Sequence, residues 1–205
     1  MAKIKFTKGE LKRQRDSLKQ FEHYLPILQL KKQQLQIEIQ HVHERLDLKL
    51  NEISSSKAAI SIWAGLLNEG QKDIVAWITP KEIITKKFNI AGVDIPLFVR
   101  VNFADSEYDL FLTPLWVDIA IEKIRQLVVL YEQEKIFRSQ LEILEHELRL
   151  TAQRVNLFEK VKIPEARENV RIIKIYLGDQ QTNAVGRSKI AKKKTESLVL
   201  EEAVL

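Results

Sequence analysis

The sequence predicts an all-α dominated fold: a long antiparallel left-handed two-helix coiled coil with a small middle region that contains a β-hairpin. Three observations point there. Residues 7–67 carry apolar side chains in a strict 3-4 alternation. Residues 115–177 carry the same alternation with interruptions. Between them lie two runs of β-branched and aromatic residues around Ala91-Gly92.

The first segment opens on Thr7-Lys-Gly-Glu10, the S/T-x-x-E pattern of a capping box, in which the Thr hydroxyl accepts a free backbone N–H and the Glu reaches back to the Thr N–H. One seam row is Leu11, Leu18, Leu25, Lys32, Ile39, Leu46, Ile53, Ile60 and Leu67. The other is Gln14, Phe21, Leu28, Leu35, Val42, Lys49, Ser56 and Trp63. Thirteen of these 17 positions are apolar, where the composition alone would give roughly eight. A sustained 3.5-residue repeat supercoils to the left. Asn68-Glu-Gly70 is the expected end of this helix.

In the middle, residues 71–79 are compatible with a short helix or a strand. Ile83–Ile90 and Ile95–Phe103 read as strands, with Ala91-Gly-Val-Asp94 as their turn and Pro96 suited to a strand start or an edge. An isolated hairpin is marginal in water, so this one must pack on the shaft or on a partner. Asp105-Ser-Glu-Tyr-Asp109 reads as a polar loop, and Thr113-Pro114 as cap and first residue of the next helix.

In the second helix Val117, Ile121, Ile124, Val128 and Tyr131 hold the alternation. The phase slips, and Leu141, Leu144, Leu148, Thr151, Val155 and Phe158 resume it. It slips again near Pro164, before Ala166, Val170, Ile173 and Leu177. Such slips change the local winding of a coiled coil. Gly178 is the expected stop. Pro26 and Pro164 each remove a helical hydrogen bond. With residue 67 opposite 115, the two prolines fall within about two turns of each other, so a shared bend is expected. The same register places Lys49 near Glu134 and Lys32 near Glu147, pairs suited to fixing the register. The organisation is thus 1–67 first helix, 68–114 middle region, 115–178 second helix and 179–205 a basic, partly disordered tail.

Composition narrows the function. The chain has 205 residues, 30% of them charged, a net charge of +5 and no cysteine, which excludes disulfides and thiolate metal sites. No apolar run approaches the roughly 20 residues of a membrane span, and no signal-peptide core follows the basic start. A cytoplasmic protein without direct membrane insertion is expected. The positive charge is concentrated near both termini, and the body between is mildly acidic. In an antiparallel hairpin both clusters fall at one end. Such an end suits nucleic acid, solvent or the collar of a partner, and the nucleic-acid reading has no helix-turn-helix, zinc-finger or RNA-binding motif to support it.

No catalytic, cofactor-binding or metal-ligating residues emerge. His23, His41, His43 and His146 have no zinc spacing, and His41 and His43 do not share a helix face. The phosphate-binding, dinucleotide and nucleophile-elbow glycine motifs are absent. The carboxylates sit in runs such as Leu141-Glu-Ile-Leu-Glu-His-Glu147, the pattern of a solvated helix face.

Three stretches carry a family resemblance. They are Arg13-Gln-Arg-Asp-Ser-Leu-Lys-Gln-Phe-Glu-His-Tyr-Leu-Pro26 with Ile27-Leu-Gln-Leu-Lys-Lys-Gln-Gln-Leu35, then Phe88-Asn-Ile-Ala-Gly-Val-Asp-Ile-Pro96, then Arg154-Val-Asn-Leu-Phe-Glu-Lys-Val-Lys-Ile-Pro164 with Ile172-Ile-Lys-Ile175 and the basic tail. In this order they resemble the D subunit of the V-type ATPases, in its bacterial branch. Lys31-Lys-Gln33 departs from the Lys-Arg-Asp of many members, and Pro26 stands where many are Gly-rich.

The resemblance implies a non-catalytic central rotor shaft without cofactors, transmitting torque between the ATP-hydrolysing head of A and B subunits and the membrane ion-translocating ring. It implies the F subunit and the socket subunit (C/d) above the ring as further partners, no nucleic acid, and a place peripheral to the membrane. Candidate head contacts are Lys12, Arg13, Arg15, Arg187, Lys192 and Lys193. Candidate contacts for the F subunit or regulation are Ile83, Phe88, Ile95 and Phe98. A prefoldin-like coiled-coil chaperone subunit is the alternative, since it also joins two helices through a hairpin.

Overall fold

The computed structural model describes residues 5–69, 74–105, 114 and 116–202. Its elements are α1 (Lys8–Ser61), a 3₁₀ turn (Ala64–Glu69), α2 (Ile74–Ile78), β1 (Pro80–Ile90), β2 (Val93–Phe103), α3 (Trp116–Leu157), a π turn (Phe158–Lys162) and α4 (Ile163–Glu202). The fold is dominated by helix, with one two-stranded antiparallel sheet. The chain divides into two compact units, one of residues 1–29 and 153–205, the other of residues 30–152.

The heptad reading of α1 transfers directly to burial. All the seam positions from Leu11 to Leu67 are buried or half-buried, and nearly every other position is exposed. At the N-terminus the Glu10 N–H donates to the Thr7 hydroxyl at 3.2 Å, half of the expected capping box. The other half is not made. Glu10 instead accepts from Gln14 at 2.9 Å, and the Thr7 N–H donates to the Lys5 carbonyl. The helix ends earlier than expected. Ser54, Ser55 and Ser61 turn their hydroxyls onto carbonyls three residues back, which competes with the helical ladder. Trp63 and Leu67 therefore seal the seam from the turns beyond α1, Leu67 within the 3₁₀ segment.

The unit of residues 30–152 has three layers at its centre. Leu35, Val42 and Leu46 of α1 meet Leu141 and Leu144 of α3, and Val93 and Ile95 of the hairpin complete the cluster. The hairpin packs on the helices, as its marginal stability alone requires. Its turn is tighter than expected. Ile90 pairs with Val93, leaving Ala91 and Gly92 at φ 50° and 78°. Two successive left-handed residues match the twist of the flanking strands. Gly92 tolerates this freely, whereas Ala91 sits there with its methyl packed against the core cluster. The Gly92 N–H donates to Asn89 Oδ1 at 3.0 Å, and Asn89 Nδ2 donates to Asp94 Oδ1 at 2.6 Å.

The unit of the two terminal segments has two layers. Here α1 meets the end of α3, the π turn and α4, antiparallel. Phe6 stacks near Tyr176 with ring centroids 5.0 Å apart, and Gln14 accepts from Asn169 at 3.4 Å. Phe21 faces Phe158 at 5.3 Å, and Arg167 bonds Glu22 at 2.7 Å. Val155, Ile163, Ala166 and Ile173 are the buried residues on the second side of this seam. The register expected from the sequence, residue 6 opposite 176 and 14 near 168, is the one formed.

Several expectations need correction. Gly178 does not stop the helix, because α4 runs unbroken to Glu202. Glycine lowers helix propensity by only about 1 kcal/mol, too little to end a helix with good formers on both sides. Lys49 bonds Glu52 on its own helix at 2.6 Å, and Glu134 bonds Arg138. Lys31, one residue from the expected Lys32, is the partner of Glu147 at 2.8 Å. A lysine beside the seam reaches across it while keeping its head near water. Thr113 and most of the 105–109 loop lie outside the described residues; Pro114 accepts from the Val117 N–H at 3.0 Å. At the proline level α1 is α-helical through Pro26, and a π turn precedes Pro164 on the facing helix.

Candidate interaction surfaces

Among the described residues no group of three or more His, Asp or Glu side chains could hold a metal ion. The groove at the hairpin root is lined by Phe103, Ile121, Arg125, Val129 and Leu130, with Ser56, Asp118 and Glu122 at its edge. No helix among the described residues is long and apolar enough to cross a membrane.

The basic residues define the first surface. Lys12, Arg13 and Arg15 are exposed on α1, and Arg13 leans on Glu10 at 3.6 Å. Arg187, Lys192 and Lys193 are exposed on α4, where every residue from 178 to 197 is exposed. These two groups belong to one unit but not to one level. Lys12 lies across from about residue 170, so residues 187–194 are roughly 25–36 Å further along α4 at 1.5 Å per residue. The positive charge is therefore two zones rather than a single tip. Only the distal zone sits on a helix uncovered on all sides, interleaved with the exposed Val185 and Ile190. Lys192 is near Glu196 at 3.7 Å.

Closer to the seam, Arg171 donates two bonds to Glu168, at 2.8 and 2.7 Å. This hydrogen bonding holds the Glu168 carboxyl below its usual value and raises the guanidinium. The pair is solvent-facing and local to α4.

The hairpin is the second surface. Ile83 and Phe88 are 40% and 50% exposed, so both can meet a partner. Phe98 is half-buried. Ile95 is 2% exposed and packed in the core cluster. Its side chain holds the hairpin to the helices and has nothing left to offer a partner.

Two further residues position this surface, and sequence reasoning does not single them out. Arg125 of α3 donates from Nε to the Trp77 carbonyl at 3.0 Å and from Nη2 to the Ala104 carbonyl at 2.7 Å, and lies over the Phe103 ring at 5.1 Å. It ties the Trp77 carbonyl in the last turn of α2 to the carbonyl just past β2 with one planar cation. Gln140 of α3, 1% exposed, donates to the Pro96 carbonyl in the middle of β2. The sequence signal is faint: an arginine and a glutamine in a helix with many other polar residues, which periodicity alone does not single out.

The family model described as ATP synthase D subunit matches residues 10–193. The chain belongs to the family of ATP synthase D subunits. A V-type ATP synthase D subunit of Borreliella burgdorferi is 48% identical over 192 residues, covering 94% of this chain and 95% of that one. Those of Chlamydia pneumoniae and Chlamydia caviae are 34% and 32% identical, over 93% and 95% of their own lengths. Matches of such coverage extend over both helices, the hairpin and the first basic residues of the α4 zone. They make the chain a subunit of a V-type ATP synthase complex and leave the prefoldin-like alternative without support.

Proposed function

We propose that this family member is the central rotor shaft of its complex. It passes torque between the A/B head and the membrane ion-translocating ring and performs no catalysis itself. The observation that carries this reading is the seam: long helices stay sealed against each other within each unit, and the described surface carries exposed basic and apolar side chains. A sealed pair resists twisting better than one helix. Two dissimilar helices also have no threefold symmetry, so each of three head interfaces would meet a different face of the shaft and be biased toward a different state.

In this reading the terminal unit enters the head. The uncovered α4 zone with Arg187, Lys192 and Lys193 runs deepest, and Lys12, Arg13 and Arg15 meet the head nearer its mouth. The hairpin-bearing unit faces the F subunit and the socket subunit (C/d), with Ile83 and Phe88 as the contacts for the F subunit or for regulation. The complex would hold the chain at the membrane periphery through the ring, with no lipid contact of its own.

The direct test is rotation. A probe attached at Lys87→Cys, on a cysteine-free chain, is followed on complexes immobilised through the head. ATP-driven stepping of the probe is expected. A probe that stays fixed while the head turns over ATP would overturn the shaft reading.

A further inference from the structure

The π turn at Phe158–Lys162 explains the second phase slip. Upstream, Leu148, Thr151, Val155 and Phe158 hold the seam at spacings of three and four. Continued unchanged, the alternation would put Lys162, Glu165, Asn169 and Ile172 on the seam. Instead Ile163, Ala166 and Ile173 are 7%, 3% and 0% exposed, Val170 is half-buried, and Lys162, Glu165 and Ile172 are exposed. Ile163, Ala166, Val170 and Ile173 thus each stand one position late, while Asn169 stays half-buried at the seam edge, where it reaches Gln14. The backbone supplies the missing step. The Ile163 N–H donates to the Phe158 carbonyl, five residues back rather than four, so this turn holds one extra residue. Without that wide turn an extra residue would rotate everything beyond it by about 100° and carry Ile163, Ala166 and Ile173 off the seam.

Pro164 stands where this break costs least. In an α-helix its ring would press on the carbonyl of Lys160, and that carbonyl would have no N–H to accept. The carbonyl of Glu159 loses its usual donor because Ile163 is turned to Phe158. Both orphaned carbonyls belong to exposed residues, where water satisfies them. The proline and the wide turn thus break the same stretch of ladder once instead of twice.

We propose that residues 158–162 carry a one-residue insertion that Pro164 pins in place, and that this wide turn is the device that keeps α4 in phase with α1. Four full-length variants test it: ΔLys160, ΔLys160 with Pro164→Ala (the deletion variant below), Pro164→Ala alone, and one alanine inserted after Lys160. Thermal melts and amide exchange across 158–166 are the readouts. The deletion variant should melt at or above the parent and exchange more slowly there, because it restores an unbroken α-helix with the seam in register. The insertion should lower Tm by about 5–10 °C, since it rotates 163–177 off the seam. A deletion variant that fails to fold, or melts as low as the insertion, overturns the proposal. Pro164→Ala should shift Tm far less in the parent than in the ΔLys160 background. Equal shifts in the two backgrounds would show that the proline does not pin the turn.

Discussion

The hairpin-bearing unit and the terminal unit close the same kind of seam by different means. In the first, a third layer lies over the helix pair. Val93 and Ile95 fill the space above Leu35, Val42 and Leu144, while Arg125 and Gln140 bind the hairpin backbone to α3. In the second, the seam is sealed by two layers only, and α4 carries an exposed stretch from 178 to 197. The difference teaches how one helical pattern serves two tasks. A layer bonded to α3 at Ala104 and Pro96 holds a shape, and a helix with no cover leaves its whole circumference exposed.

The largest effect that could break this comparison is in the two cores. Leu144 and Ile173 are both 0% exposed. Leu144→Ala should lose about 3–5 kcal/mol, because a cavity between three layers cannot collapse easily, and Ile173→Ala about 2–3 kcal/mol, because two helices can close on the gap. Urea unfolding of each variant measures this. The reverse order would remove the claim that the hairpin makes the tighter core.

Next comes Arg125→Met. It keeps most of the stem over Phe103 but strips two carbonyls of a charged donor, at an expected cost of about 2–3 kcal/mol. The amides of α2 and of the hairpin root should exchange faster, while those of α4 stay unchanged. Uniform loss of protection in both units would show that the root is not a separate clamp.

How far these residues can be read from the sequence differs by kind. The seam of α1 is legible residue by residue, since a 3.5-residue period dictates one buried face and propensity does not conflict with it. The hairpin is legible from β-branched runs and Gly92, but its turn reads two residues too long, because an alanine at positive φ is held there by packing that no local signal reveals. The helical run of α4 past Gly178 is hidden when one glycine is given more weight than its roughly 1 kcal/mol. Of the candidate contacts, the six basic residues are exposed as expected. Ile95 is not, since an apolar strand residue reads the same whether it faces a core or a partner.

Smaller effects sharpen the contrast between inner and outer charges. Lys31 and Glu147 are a quarter exposed, at 26% and 22%, and cross the seam at 2.8 Å. Lys31→Met should cost about 0.5–1 kcal/mol. Arg167 and Glu22 cross it in the terminal unit at 65% and 43% exposure. Arg167→Met should cost no more than about 0.5 kcal/mol, and 1 M salt should erase it. Urea unfolding at low and high salt measures both.

The smallest effect is expected from Glu168→Gln, which should lower the melting point only slightly at neutral pH, because the pair is solvent-facing and screened. The Arg171 hydrogen bond holds the Glu168 carboxyl below the usual carboxylate range. A depressed acid stabilises the fold above its unfolded value, and that contribution fades as pH falls through the folded one. Carboxyl titration by NMR should place Glu168 below the usual glutamate range, and an Arg171→Gln variant should raise it.

The central claim is that α1 and α4 turn as one body. Phe6→Cys with Tyr176→Cys tests it most directly. The chain has no other cysteine, and the two rings stand 5.0 Å apart. A short thiol cross-linker joining them within the assembled complex should leave ATP turnover and ion coupling at the level of the uncross-linked sample. Loss of turnover on cross-linking would mean that the two helices must move past each other, and that the chain is not a shaft.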